Sequence, residues 1–342
     1  MYVRTRSLLV CQSLLFIIFS PSTSAQVDPS VLGFSGVISV NAGYIRSQSQ
    51  HNTHDDNAVT QDLSNSGKKV NQVSPMLLGR LQYNFGKTII FFGNSEDQIT
   101  EANFQAELGV SQKVGRNMAI TTALFGSLPR QDEVWRDPYL TGVSRSVTDH
   151  MVSGLRVAMD LHGPLSASLK YAYAQSEVET EEIGFSQSLS DAERSLLMRD
   201  SDYHRFGVES ALPISRSFTL VPAIYYSLRD AEGRAHSFEK IDGQIALAFH
   251  RSNHTLTSTF RLGSEEYDAE NPVFNRKQDQ QSFGFFSVYS YQSLLGLPNT
   301  NLNLMAGYQQ TDSEIDFYSS ENLFLSTRVS ASNFNDARNK HV

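Results

Sequence analysis

The chain has 342 residues, 40% of them hydrophobic and 19% charged, with 28 basic and 36 acidic side chains and a formal charge of −8. An aromatic content of 11% excludes a disordered or low-complexity chain, and the acidic balance excludes a general nucleic-acid binder. The lone Cys11 excludes a disulfide framework and any cysteine-built zinc centre, and no apolar run after residue 20 reaches the roughly 18 residues a membrane helix needs.

The N-terminus comes first. Arg4 and Arg6 precede an apolar stretch from Leu8 to Phe19, followed by Pro21 and the small-residue site Thr23-Ser24-Ala25. A basic region, an apolar region and a small-x-small site predict a secretory signal peptide over residues 1–25. Cys11 lies inside the apolar region and not after it, which disfavours a lipid anchor. Cleavage leaves one domain over residues 26–342, free of cysteine, with 26 basic and 36 acidic side chains and a formal charge of −10.

Beyond residue 33 the dominant signal is period-2 alternation, the mark of strands with one apolar face. Phe104, Ala106, Leu108 and Val110 alternate with Gln105, Glu107, Gly109 and Ser111, and Met151 to Leu161 repeats the pattern. Fourteen such segments start near residues 34, 75, 88, 104, 118, 150, 165, 204, 218, 239, 255, 282, 300 and 323. Only Ser190 to Arg199 reads as helical, with Ser190 and Glu193 as a capping box. Short turns at 86–87, 115–117, 162–164, 213–217, 251–254 and 292–299 alternate with long polar segments at 48–74, 94–102, 128–149, 175–203, 230–238, 264–281 and 310–322. The expected fold is all-β: a transmembrane antiparallel β-barrel of about 14 strands, with short periplasmic turns and long extracellular loops. A soluble β-sandwich is the alternative, but it has no need of alternating loop lengths.

Charge placement favours the barrel. The long loops hold 29 of the 36 acids, whereas the short turns hold Lys87, Arg116, Arg216 and Arg251 with no acid. Inside the strands thirteen charges share the non-apolar parity, and only Arg46 and Glu239, at strand ends, break it. A charge facing lipid near the midplane costs about 2–4 kcal/mol, so such segregation is what a membrane wall demands. Tyr44, Tyr171, Tyr173, Tyr226 and Tyr308 fall toward the loop ends of their strands, and Tyr83, Phe85, Phe249 and Phe334 toward the turn ends, as two interfacial girdles.

Several runs resemble a known family. They are Leu124-Phe125-Gly126-Ser127 leading into Glu133-Val134-Trp135-Arg136-Asp137-Pro138-Tyr139-Leu140-Thr141-Gly142, with Phe34-Ser35-Gly36, Asn41-Ala42-Gly43-Tyr44, Asp230-Ala231-Glu232-Gly233, Asn271-Pro272-Val273-Phe274 and Ile315-Asp316-Phe317-Tyr318. Together they are similar to an uncharacterised bacterial family, domain of unknown function 2860. The resemblance implies an outer-membrane barrel and supplies no active site. One departure is that barrels of this kind end on an aromatic residue, whereas this chain continues past Phe334, which shares parity with Ser330 and Ser332.

The chemistry-bearing candidates fall into four groups. The lumen list comprises Arg80, Glu107, Lys113, Arg156, Asp160, Lys170, Arg205, Glu209, Arg229, Lys240, Asp242, Arg261 and Arg328, beside small residues such as Gly109, Gly154, Gly207, Ala172 and Ala174. Rings of arginine and lysine favour anions through their local field, so a channel passing small, anion-preferring solutes is expected. The alternative is a plugged barrel whose acidic loops bind a partner or divalent ions at the surface. Loop 128–149 carries the second group, Glu133, Trp135, Arg136, Asp137, Pro138 and Tyr139, read as a constriction or ligand contact or else as a self-packed loop. His51, His54, Asp55 and Asp56 form a metal-like spacing that nothing repeats, so no metal and no cofactor is expected. A rim hydrolase built from His150, His204, Ser144 and Asp149 is the third functional class, without any nucleophile elbow, phosphate loop or zinc motif to support it. Outer-membrane lipid and small solutes are the expected partners, and the oligomeric state stays open.

Overall fold

The computed structural model describes residues 32–94, 105–127, 132–163, 165–294 and 300–331. The expected signal peptide over residues 1–25, Phe104, Pro164, most of the turn at 292–299 and the C-terminal residues with Phe334 lie outside the described residues.

Among the described residues, fifteen strands form a single antiparallel sheet. In chain order they are β1 (Gly33–Gln48), β2 (Lys69–Asn84), β3 (Thr88–Asn94), β4 (Gln105–Val114), β5 (Met118–Ser127), β6 (Glu133–Trp135), β7 (Val147–Leu161) and β8 (Ser166–Val178). Then come β9 (Ser201–Ser215), β10 (Phe218–Ala231), β11 (Phe238–Arg251), β12 (His254–Tyr267), β13 (Gln280–Gln292), β14 (Thr300–Ser313) and β15 (Ser320–Ala331). Each strand pairs with its neighbour in sequence, except that β5 pairs past β6 with β7, and β1 pairs with β15 from Ala42–Thr327 to Gln48–Glu321. Fourteen strands therefore close a ring, which removes the exposed edges an open sheet would carry.

The sheet has one strand more than expected. β6 is outside the ring and pairs with the first three residues of β7, Glu133 opposite Asp149 and Trp135 opposite Val147. β5 stops pairing at Gly126–Ser153, so the upper part of β7 would otherwise present unpaired backbone groups, and β6 covers them. Strands also run further into the loops than alternation predicts: β2 begins at Lys69, β12 continues to Tyr267 and β14 to Ser313. Above the apolar belt the outward positions turn polar, and the period-2 signal fades while the hydrogen-bonded ladder continues. The helix over 190–199 contracts to α1 (Asp191–Ser195), with the Ser190–Glu193 capping box formed in both directions.

Exposure follows the parity read from sequence. Leu108, Leu124, Ile224, Ile241, Leu262 and Val329 face outward and are exposed, whereas Glu107, Ala123, Asp242, Thr259 and Arg328 between them are buried. Tyr44, Tyr83, Phe85 and Phe249 are exposed on the outer face at the two ends of the wall. Gly86 and Gly115 adopt positive φ (+99° and +67°) in the tight turns after β2 and β4, a conformation that side-chain-bearing residues rarely take.

Apolar packing is divided among three places. Phe125, Val152, Ala172, Ala174, Tyr203, Phe238 and Tyr267 cluster inside the ring near the loop end. Ile45, Phe286, Val288, Met305 and Phe324 form a second inner patch on β1 and β13 to β15. The third cluster is built wholly from loops: Tyr139, Ile183, Leu197, Ala235, Ile315, Phe317 and Tyr318, with Leu63, Leu189, Leu196, Val273 and Phe274 against it.

Candidate functional site

The inner wall is charged and largely paired. Arg156 donates Nε and Nη2 to the two oxygens of Glu107 at 2.8 and 2.9 Å, and Arg80 reaches the same carboxylate at 3.9 Å while its guanidinium lies over Phe91. Lys170 meets Glu209 at 2.9 Å, Arg205 meets Asp242 at 3.6 Å, and Lys240 meets Glu265 at 3.0 Å. Arg261 donates twice to Gln244 Oε1, and Arg229 donates to Ser201 Oγ and the Arg199 carbonyl. Arg205 and Arg261 both lie over the Tyr225 ring. All thirteen lumen candidates occupy inner-face positions, with Lys113 exposed at the turn end and Asp160 half-buried. Glu265 belongs with them and escapes the sequence reading, because it lies above the belt in a stretch that reads as loop.

The small residues of the wall do not leave open space. A Cβ on Gly109 would meet the Phe91 ring, one on Gly154 the Phe125 ring, and one on Gly207 the Tyr225 ring. Each glycine is the seat for an aromatic side chain from the neighbouring strand. On the strands of the same wall are buried polar atoms with no partner among the described residues: Ser35 Oγ, Gln82 Nε2, Gln244 Nε2, Thr257 Oγ1, Thr259 Oγ1, Asn322 Oδ1, and Nε and Nη2 of Arg328. Leaving such an atom dry costs about 1–3 kcal/mol, so this wall is built for water or a polar solute. A small cavity of about 50 Å³ lies along it beside Lys240, Asp242, Gln244, Thr259, Arg261 and Gln309.

Above the lumen the long loops fold into a cap. Arg145 is its keystone: buried, it donates to the Gln50 backbone (3.1 Å) and side-chain (3.2 Å) oxygens and to the Pro138 (3.1 Å) and Asn57 (2.5 Å) carbonyls, and lies over the Trp135 ring. Burial lowers its pKa to about 10, so it stays charged at neutral pH. Trp135 Nε1 donates to the same Gln50 carbonyl at 3.0 Å, and Thr60 bridges Thr141. The Tyr139 and Tyr318 hydroxyls lie 2.5 Å apart, and Asn271 Nδ2 donates to both. Burial raises the Tyr139 hydroxyl to about 12 and drives Tyr318 well above its ordinary value. His51 stacks on Tyr318, and His236 packs edge-on to it. Burial, reinforced by Arg199, Arg145 and Arg229, lowers His51 to about 3, and burial with Arg229 and Arg199 also lowers His236 well below 6.5.

The loop motif thus stands inside the cap. Glu133 and Trp135 belong to β6, and Arg136 donates to the Val147 carbonyl. Asp137 accepts from the amides of Tyr139, Gly184 and Ser186, and the Pro138 carbonyl serves Arg145. The scattered runs Asp137-Pro138-Tyr139, Asn271-Pro272-Val273-Phe274 and Ile315-Asp316-Phe317-Tyr318 meet at one hub.

The remaining candidates separate. His51 belongs to the hub, whereas His54 caps the short turn Asp55–Asn57 by accepting from the Asp56 amide, so the metal-like set does not converge. Among the described residues no group of three or more His, Cys, Asp or Glu could hold a metal ion. The rim set does not assemble either: Ser144 is exposed in the cap, and His204 bonds Tyr171 on the outer face. His150 turns inward, and its partners are Asp132 and Ser176, not Asp149 or Ser144.

Among solved structures, the chain is similar to the outer membrane channel DcaP of Acinetobacter baumannii, at 10% identity over 87% of this chain and 98% of that one, with a TM-score of 0.46. It is also similar to the CymD monoaromatic hydrocarbon channel (9% identity, 95% of each chain, TM-score 0.46) and to a loop-deleted form of OmpT, an outer membrane protein of Vibrio cholerae (8% identity, 86% and 98%, TM-score 0.42). No curated protein matches it. The family model described as protein of unknown function (DUF2860) matches residues 33–330, and the chain belongs to that family.

Proposed function

We propose that the protein is an outer-membrane channel for small, anion-preferring solutes, exported by residues 1–25 and closed by its loop cap in the present state. The observation that carries this reading is the inner wall's row of buried, unsatisfied polar atoms, from Gln244 and Thr259 to Arg328. Membrane barrels keep a polar interior whether open or plugged, and what supports passage here is that these atoms call for water along the wall. Nine basic side chains face five carboxylates once Glu265 is counted, which supports an anion preference. Outer-membrane lipid meets the exposed apolar belt, and the oligomeric state enters no step of this reading.

Planar-bilayer conductance of the refolded protein tests it. The wild type gives small anion-selective steps, the cap variant Arg145→Ala gives larger ones, and Arg261→Gln with Arg328→Gln lowers the anion preference. Silence from both wild type and Arg145→Ala, or a cation preference, sinks the proposal.

A second reading draws on the cap itself, a folded unit with strongly exposed rim acids such as Asp56, Asp191 and Glu314. On this reading the cap is a docking surface for a basic partner or divalent ions. Binding lost on cap deletion, from a barrel that never conducts, would favour it.

A further inference from the structure

We infer that Asp132, His150 and Ser176 form a hydrolytic site at the loop end of the lumen, acting on an ester with an apolar acyl chain. His150 Nδ1 lies 2.9 Å from Asp132 Oδ2, and its Nε2 lies 2.7 Å from Ser176 Oγ. A carboxylate can only accept, so Nδ1 carries the imidazole proton and Nε2 offers its lone pair to the serine hydroxyl. A histidine that merely braced two strands could use either tautomer. Here a buried carboxylate selects the one that makes Ser176 a nucleophile.

The backbone holds this order rigidly. Ser176 on β8 stands opposite Val152 on β7, two residues from His150, and the His150 amide donates to the Asp132 carbonyl at 2.9 Å. The Asp132 and His150 side chains are only 6% and 12% exposed, and Ser176 is 3% exposed, so little water competes for these bonds. Val152 and Ala174 flank the serine and continue into Phe125, Tyr203, Phe238 and Tyr267, an apolar surface suited to an acyl chain. Ser201 stands opposite Ser176 on β9 and accepts from Arg229 Nε at 2.9 Å, which sets a cation beside the point where negative charge would develop.

In the reaction, Oγ attacks the ester carbonyl carbon as its proton passes to Nε2. The C–O bond to the alcohol breaks as that proton moves to the leaving oxygen. Water then adds to the acyl-serine, giving a proton to Nε2, and the carboxylic acid leaves as Ser176 recovers its hydrogen. His150 and Ser176 are the catalytic residues, and Asp132 is a positioning residue. The cap closes over the site, so its loosening should speed access.

The test is labelling of the full refolded chain in detergent with an alkyl fluorophosphonate, located by peptide mass mapping. One adduct on Ser176 is expected. It is lost in Ser176→Ala, slowed about 10²-fold or more in His150→Gln, and accelerated in Arg145→Ala. Asp132→Asn should both slow labelling and shift its pH profile, a change that loosened packing alone would not produce. Heat-modifiable migration on gels verifies that each variant folds. No adduct at Ser176 in wild type and Arg145→Ala, or an undiminished rate in folded His150→Gln, overturns the inference whether or not the barrel conducts.

Discussion

Lowering the pH from 7 to 5 sets protons in competition for His51 and His236, the two imidazoles packed against Tyr318 in the cap. In the closed cap His51 titrates at about 3, against 6.5 when free, and His236 is lowered in the same direction. Both are bases whose folded values are depressed, so the open cap binds more protons than the closed one. Their neutral state is therefore harmless above about pH 6.5, and closure weakens progressively as pH falls from there toward 3. Each pH unit below 6.5 is worth about 1.36 kcal/mol, so His51 alone removes about 2 kcal/mol at pH 5, a shift of roughly 30-fold in the closed-to-open ratio. Burial is the main cause of the value of about 3, and Arg199, Arg145 and Arg229 already contribute to it, because a proton on His51 enters a positive surround. Hydrogen exchange of the cap amides, corrected for intrinsic rates, reads the opening directly, and for the proposed channel single-channel current reads its consequence. Replacing both residues, His51→Phe with His236→Phe, keeps rings in place but removes the titration, and should flatten the response. Equal cap protection of the wild type at both pH values, or an acid response that survives the double replacement, would refute the reasoning.

Other perturbations separate cap from wall. Arg145→Met deprives the Asn57 and Pro138 carbonyls of their buried donor and should loosen the cap by about 2–4 kcal/mol, read as faster exchange there with the barrel ladders unchanged. Glu107→Gln leaves Arg156 buried without its counter-charge and should cost about 3–5 kcal/mol of barrel stability in urea refolding. Gly154→Ala places a Cβ against the Tyr173 carbonyl and the Phe125 ring and should lower the refolding midpoint, whereas Gly243→Ala, which meets nothing within 4 Å, should leave it nearly unchanged.

The wall was legible in the sequence because lipid enforces a period of two. Every strand must keep its apolar residues on one parity, and that rule placed Arg156, Asp242 and Arg328 on the inner face without reference to tertiary contacts. The same rule fails where lipid stops. Lys69 and Glu265 lie in strands but outside the apolar belt, so nothing forces their neighbours to alternate. Glycines such as Gly207 suggested room in the lumen, yet this one is covered by the ring of Tyr225, its partner on the neighbouring strand β10. A sequence read strand by strand shows which way a glycine faces and not what leans across it.

The cap marks the other limit. Its bonds join residues far apart in the chain, 85 positions between Trp135 and Gln50 and 179 between Tyr139 and Tyr318, and no periodic pattern links them. Packing the loops must also accommodate 29 carboxylates in seven segments, which repel one another. The structure reconciles the two by sorting. The Asp137 carboxylate enters the cap because three backbone amides receive it, and Glu181 is drawn in by Arg199 at 2.7 Å. Asp56, Asp191 and Glu314 stay at the rim in water. The loop charge is therefore a skin over an apolar core that a few loop residues supply. Because Arg145, His51 and His236 carry or could acquire positive charge inside that skin, protonation rather than salt screening is the natural lever on the cap.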